Sequence, residues 1–181
     1  MLIREAIASD IEGIAQLHTE SWRKAYRGIL SDAFLDGDLI GDRRTLWQER
    51  FEKPAAQQSI VVAETGGVLV GFACSFGSYD VTWGSLLENL HVGPNHKGAG
   101  IGAQLVAHVA QWCTRTQAAD GLHLWVLAGN TAAQGFYQRL GGREVETSVW
   151  DAPDGNPVAE LRFAWPTVAQ LLKPHQQTPN T

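Results

Sequence analysis

Leu90-His91-Val92-Gly93-Pro94-Asn95-His96-Lys97-Gly98-Ala99-Gly100-Ile101-Gly102 is the stretch on which the reading of this chain turns. An apolar, strand-like run at residues 86–92 enters a loop with glycine at every second position. A helix with apolar residues at Leu105, Val109, Trp112 and Cys113 leaves it. Glycine has no Cβ, so main-chain N–H groups there can approach a bound group in conformations that cost other residues energy. Those N–H groups and the positive end of the new helix suit a phosphate or pyrophosphate. Lys97 adds a mobile positive charge beside them. The plainer alternative is a tight turn with small packing residues.

Two familiar phosphate loops fit poorly. A Walker A loop carries its lysine after the glycines, followed by Ser or Thr, whereas Lys97 precedes them. A dinucleotide fingerprint is matched literally by Gly98, Gly100 and Ala103, with Asp120 downstream. That acid should end the following strand, however, and Asp120 stands before it. The loop also lies mid-chain, after a hairpin rather than after the first strand.

Upstream, residues 2–7 read as a strand. Ser9-Asp10-Ile11-Glu12 reads as a capping box opening a helix that runs to about Tyr26. A short helix at 32–35 follows, then a helix at 43–53 stopped by Pro54. Strands at 59–64 and 68–77 flank Thr65-Gly66-Gly67, a hairpin signal. Downstream of the loop helix (102–116), a strand is expected at 122–127, a helix at 131–140, and two final strands at 143–150 and 157–165. The order is neither a βαβ alternation nor separate blocks, so an α/β chain with a mixed sheet and helices on both faces is expected. One domain over residues 1–166 is expected, with 167–181 a flexible tail.

The 181 residues are 44% hydrophobic and 18% charged, enough for a core and too little charge for a disordered chain. A net charge of −5 gives no basic footprint for nucleic acid. The start of the chain lacks a long apolar run and no stretch approaches the length of a bilayer span, so a cytoplasmic protein without a membrane partner is expected. Cys74 and Cys113 form no CxxC motif, and the six histidines show no metal spacing.

A second block supplies the resemblance. Asn130, Ala133, Phe136, Tyr137 and Gly141 match Asn-x-x-Ala-x-x-Phe-Tyr-x-x-x-Gly. Together with Lys97-Gly98-Ala99-Gly100-Ile101-Gly102, and with Glu88-Asn89-Leu90-His91-Val92-Gly93-Pro94 before it, this chain resembles the GNAT N-acetyltransferase superfamily. The dense match covers residues 86–142, and a looser one in element order covers 1–166. Lys97 stands where that family usually has Gln or Arg, which loses the bidentate fork. The resemblance implies a central, mostly antiparallel sheet with two splayed strands. It implies acetyl-CoA as co-substrate, without a metal. The pantetheine arm would lie along the backbone of Leu90, His91 and Val92, the pyrophosphate on the amides of Gly98, Ala99, Gly100, Ile101 and Gly102, and Asn130, Ala133 and Phe136 beside the arm. A homodimer through the last strands is also in keeping with it.

Attack of an amine on a thioester needs the ammonium deprotonated, the oxyanion stabilised and the leaving sulfur protonated. The resemblance places Tyr137 at the sulfur; its plainer role is packing beside Phe136. Glu88 is the base candidate. In a regular strand it shares a face with Leu86, Leu90 and Val92, among which a carboxylate's pKa rises. The family's glutamate more often falls at the position of Leu86, and a β-bulge would change the facing. A water chain is the other base, and His91 and His96 are weaker candidates. The segment 21–30 resembles a stretch that puts Trp22 or Tyr26 near the acceptor, where an aromatic face can hold a cation. The acceptor expected is a primary amine of a small molecule or peptide. The rival readings are a non-catalytic acyl-CoA-binding module and an NAD(P)-linked oxidoreductase.

Overall fold

The computed structural model describes residues 1–116 and 120–172. The chain order is β1 (Leu2–Glu5), α1 (Ile11–Ala25), α2 (Asp32–Asp36), α3 (Leu39–Glu52), β2 (Gln58–Thr65), β3 (Val68–Asp80), β4 (Gly84–Val92), α4 (Ile101–Arg115), β5 (Leu122–Leu127), α5 (Thr131–Arg139), β6 (Arg143–Asp151) and β7 (Pro157–Trp165). The seven strands form one sheet in the order β1-β2-β3-β4-β5-β7-β6. Every neighbouring pair is antiparallel except β4–β5. The expected mixed, mostly antiparallel sheet with helices on both faces is therefore present.

Period-two alternation divides the core. On β2, Val61 and Ala63 join Leu105, Val106, Val109 and Cys113 of α4 on one face. Ile60 and Val62 join Ile14, Ala15 and Leu17 of α1 and Trp47 of α3 on the other. Leu124, Val126, Phe163 and Trp165 extend the first cluster across β5 and β7.

Three local readings are corrected. The Ser9 capping box does not form. Residues Ala8–Asp10 make a short 3₁₀ turn, the Asp10 carboxylate accepts from Ile7 N–H at 2.8 Å, and Arg4 holds it at 2.7 Å. Glu12 instead pairs with Arg44 of α3 at 2.8 Å. α3 begins at Leu39, because the Asp38 side chain accepts from Gly41 N–H at 3.1 Å. β3 runs on to Asp80 and β4 starts at Gly84, because the Asp80 carboxylate accepts from the N–H groups of Thr82 and Trp83 and closes the turn. Beyond β7 the packed chain continues through the 3₁₀ turn Val168–Leu172, which buries Val168 and Leu171 against α4. Of the expected tail, 173–181 lies outside the described residues.

The feature that positions the site is the weak joint in mid-sheet. β4 and β5 pair only through Ser85↔Leu122 and Leu86↔His123. At this apex the strands come so close that a Cβ on Gly84 would stand 2.3 Å from the Gly121 carbonyl oxygen. From there the strands diverge, and β4 from Leu87 onward has no partner on the β5 side.

Candidate functional site

The divergence opens a cleft of about 1100 Å³ that passes through the sheet. At the α4 end it is lined by the glycine loop. Gly98 (φ +82°) and Gly100 (φ +76°) are left-handed, and Gly100 is the N-cap of α4. Such conformations cost residues with a Cβ about 1 kcal/mol or more. Gly102 has a different role. A Cβ there would meet the Phe136 ring at 3.1 Å, so this glycine lets α5 close onto the start of α4. The first turn of α4 leaves its leading N–H groups without helical acceptors, and they face a cleft that Lys97 also lines. This amide nest fits a pyrophosphate.

Asn130 ends the β5–α5 connection and caps α5, its side chain accepting from Ala133 N–H at 3.3 Å. Asn130, Ala133, Phe136 and Tyr137 all line the cleft, as do Leu90, His91 and Val92. The two sequence blocks thus face each other across the gap.

Tyr137 is buried on the α4 side, packed on Phe136, Phe163 and Trp165 at ring separations of 5.2, 6.1 and 6.2 Å. Burial pushes its phenol well above the ordinary range, and the nearby Tyr26 phenol adds to this. Tyr26 belongs to the end of α1, on the opposite face of the sheet, and burial takes it to about 12. Two phenols from opposite faces of the sheet therefore line the same cleft. Both stay protonated at neutral pH and can donate hydrogen bonds.

Glu88 is not where a regular strand would put it. The β3–β4 register passes from Cys74↔Asn89 to Ser75↔Leu87, so Glu88 is the extra residue of a β-bulge. Leu90 and Val92 pack toward α4. Glu88 turns the other way and forms a short ion pair with Arg50 of α3, which also donates to Asn89 at 2.8 Å. The apolar surroundings expected of it are absent; it is exposed and salt-bridged. His91 shares its face, buried with its Nδ1 2.8 Å from Ser21 Oγ and its ring 4.6 Å from that of His18. Burial, with Lys97 and Arg43 adding, drives His91 down to about 3, so it is neutral and a poor base.

The α1/α3 side of the cleft is walled by Trp22, Tyr26, Arg43 and Trp150. The Arg43 guanidinium lies 4.4 Å over Trp22, so this ring face already holds a cation and is not free for a substrate's. Arg43, Arg50 and Glu160, all cleft-lining, were missed by sequence reasoning. The arginines sit in a helix with no pronounced apolar stripe, and nothing in a single sequence distinguishes them from solvated charges. Cys74 and Cys113 are both buried. Burial raises both thiols, Cys74 to about 12.

The sequence pattern of the acetyltransferase (GNAT) family matches residues 11–142. An uncharacterised N-acetyltransferase of Bacillus subtilis is 26% identical, covering 93% of this chain and 95% of its own length. The L-amino acid N-acyltransferase MnaT of Escherichia coli is 29% identical, with 78% of each chain covered. Among solved structures, the PaiA N-acetyltransferase of Thermoplasma acidophilum in complex with coenzyme A superposes with a TM-score of 0.67 at 20% identity, covering 88% of this chain and 96% of its own. The match spans the glycine loop, both walls of the gap and the α5 motif, and by it this chain belongs to the GNAT acetyltransferase family and is an acyltransferase.

Proposed function

We propose that the chain moves the acetyl group of acetyl-CoA to a primary amine by direct attack in a ternary complex. The observation that carries this reading is the through-sheet cleft itself. Open main-chain amides stand at one end, β4 backbone unpaired toward β5 lies along one side, and two phenols line the cleft from opposite faces of the sheet. In this reading the diphosphate sits on the amides of Gly98, Ala99, Gly100, Ile101 and Gly102 with Lys97 beside it. The pantetheine arm lies along Leu90, His91 and Val92 against Asn130, Ala133 and Phe136. Tyr137 donates its hydroxyl to the leaving sulfur. Trp22 and Tyr26 wall the acceptor, and Glu88, held by Arg50, acts as base only if that pair opens. The coenzyme A complex of one structural relative and the acetyl-CoA complex of another, from Salmonella typhimurium, support the donor assignment. The raised thiols of Cys74 and Cys113 favour direct transfer over an acyl-cysteine intermediate. The L-amino acid acyltransferase among the relatives makes small amino compounds the first acceptors to try.

The test is calorimetry with acetyl-CoA, followed by thiol release over a panel of amines. Binding with amine-dependent thiol release is expected. Binding without release from any amine would leave a non-catalytic acyl-CoA module, and no binding by folded protein would defeat the reading entirely.

A further inference from the structure

Three carboxylates line the acceptor side of the cleft, and they are not equivalent. Glu88 is tied to Arg50. Asp151, at the end of β6, is exposed. Glu160 is half-buried on β7, and its side chain makes no hydrogen bond or ion pair among the described residues.

Strand register fixes where Glu160 points. β5 and β7 pair with Trp125 opposite Arg162 and Leu127 opposite Glu160. Phe163 and Leu161 pack toward α4, so Arg162 and Glu160 take the other face, that of the acceptor wall. Arg162 stacks 4.5 Å over Trp125 and is neutralised by Asp80 at 3.0 Å and Glu146 at 2.9 Å. The neighbouring Arg162 is therefore already engaged, and among the described residues the Glu160 carboxylate is left open to the cleft. Burial raises its pKa above that of an ordinary glutamate, and Arg162 opposes this. A carboxylate in that condition is a better proton acceptor than a paired one.

Resting on the acetyl-transfer reading above, we propose that Glu160 receives the acceptor's ammonium group and takes its proton. The base then stands on β7 at one face of the sheet, and the donor Tyr137 on α5 at the other. Attacking nitrogen and leaving sulfur lie on different sides of the carbonyl carbon, so this separation gives each its own partner. One N–H proton passes from the ammonium to a Glu160 oxygen. The nitrogen lone pair forms the C–N bond, and the C–S electron pair leaves on sulfur. Sulfur gains a proton from the Tyr137 hydroxyl as the adduct nitrogen sheds a second one, which restores the phenol. Glu160 returns its proton to water. The sum is amide, thiol and one released proton.

The other charged or titratable groups around the acceptor side are Tyr26 on α1, Arg43 and Arg50 on α3, Tyr79 on β3, Glu88 and His91 on β4, and Asp151 on β6. Beyond the gap stand His96, Lys97, Tyr137 and Arg139. Tyr26 at about 12 and His91 at about 3 titrate outside the region where a raised glutamate does.

The experiment measures thiol release over a panel of aliphatic amines, aralkylamines and L-amino acids, then kcat/KM against pH for the fastest acceptor. The wild type is expected to show an acid limb. Glu160→Gln should abolish that limb and lower kcat by about 100-fold or more. Its acetyl-CoA affinity by calorimetry should be unchanged, which also shows that the variant is folded. Glu160→Asp should restore the limb, and Asp151→Asn, which removes the exposed carboxylate on the same side, should keep it. A limb that survives in Glu160→Gln overturns the proposal and leaves the acetyl-transfer reading standing. So does a rise in KM alone, which would reduce Glu160 to a binding contact. Acetyl-CoA binding by wild type with no thiol release from any amine removes the acetyl-transfer reading, and this proposal with it.

Discussion

Tyr137 is the side chain with the sharpest prediction. Its ring is fixed by Phe136, Phe163 and Trp165, so removing only the hydroxyl leaves the packing in place. Tyr137→Phe should lower kcat by about 100-fold, with acetyl-CoA affinity nearly unchanged in calorimetry. Because burial holds the phenol above the ordinary range, Tyr137 should add no basic limb to the wild-type rate profile below about pH 10. Individual residues were legible in unequal measure. Tyr137 and Asn130 could be placed because each falls in a dense motif whose spacing follows one helix. The surroundings of Glu88 could not, because they depend on a one-residue register slip and on an arginine 38 positions away. Glu160 reads in sequence like any solvated strand charge. That its side chain has no partner among the described residues appears only once Arg162 is seen to be taken by Asp80 and Glu146.

At the scale of single elements, the start of α4 depends on glycines that act in two ways. Gly100→Val would force a β-branched residue into a left-handed conformation at a cost of about 1–2 kcal/mol. It would also put a side chain where the amides must stay bare. Acetyl-CoA binding by calorimetry should fall by at least about tenfold, while circular dichroism stays native. Gly102→Val acts by collision with Phe136 instead, so it should lower the melting temperature as well as the affinity. The strand–loop–helix at this point, the β2–β3 hairpin, β5 and β7 were legible because glycine punctuation and alternation agree over them. The starts of α1 and α3 were not. Ahead of α1 the Asp10 carboxylate accepts from Ile7 N–H and closes a 3₁₀ turn where a Ser9 cap was expected, and α3 starts where the Asp38 side chain accepts from Gly41 N–H.

At the scale of the fold, three histidines among the described residues are buried without charge: His18, His91 and His123. Desolvation leads the lowering of all three, to about 3 for His91 and about 4 for His123. The unfolded chain takes up protons at these residues near pH 6.5 and the folded chain does not. The unfolded state thus binds more protons between there and the folded values, and stability falls as pH drops through that window. For His91 alone the slope approaches about 1.4 kcal/mol per pH unit. Urea unfolding at pH 7 and pH 5 should show a lower midpoint at pH 5, and His91→Gln should narrow the difference. Trp47, fully buried between α1, α3 and the sheet, should cost about 3–5 kcal/mol on truncation to Ala, read from the same titration. The sheet class was legible from element order. The through-sheet cleft entered only with the family resemblance, because strand order and the two-residue β4–β5 joint are properties of pairing between distant segments.

The amide nest at the head of α4 has a consequence for how such a chain can diversify. Peptide N–H groups are common to every residue but proline, so drift among side chains cannot erase that grip as long as the backbone path is kept. The opposite wall is assembled largely from side chains on α1, α3 and β6. Under the proposed acetyl transfer, substitutions in that wall would exchange one acceptor for another while the nest went on holding the same donor.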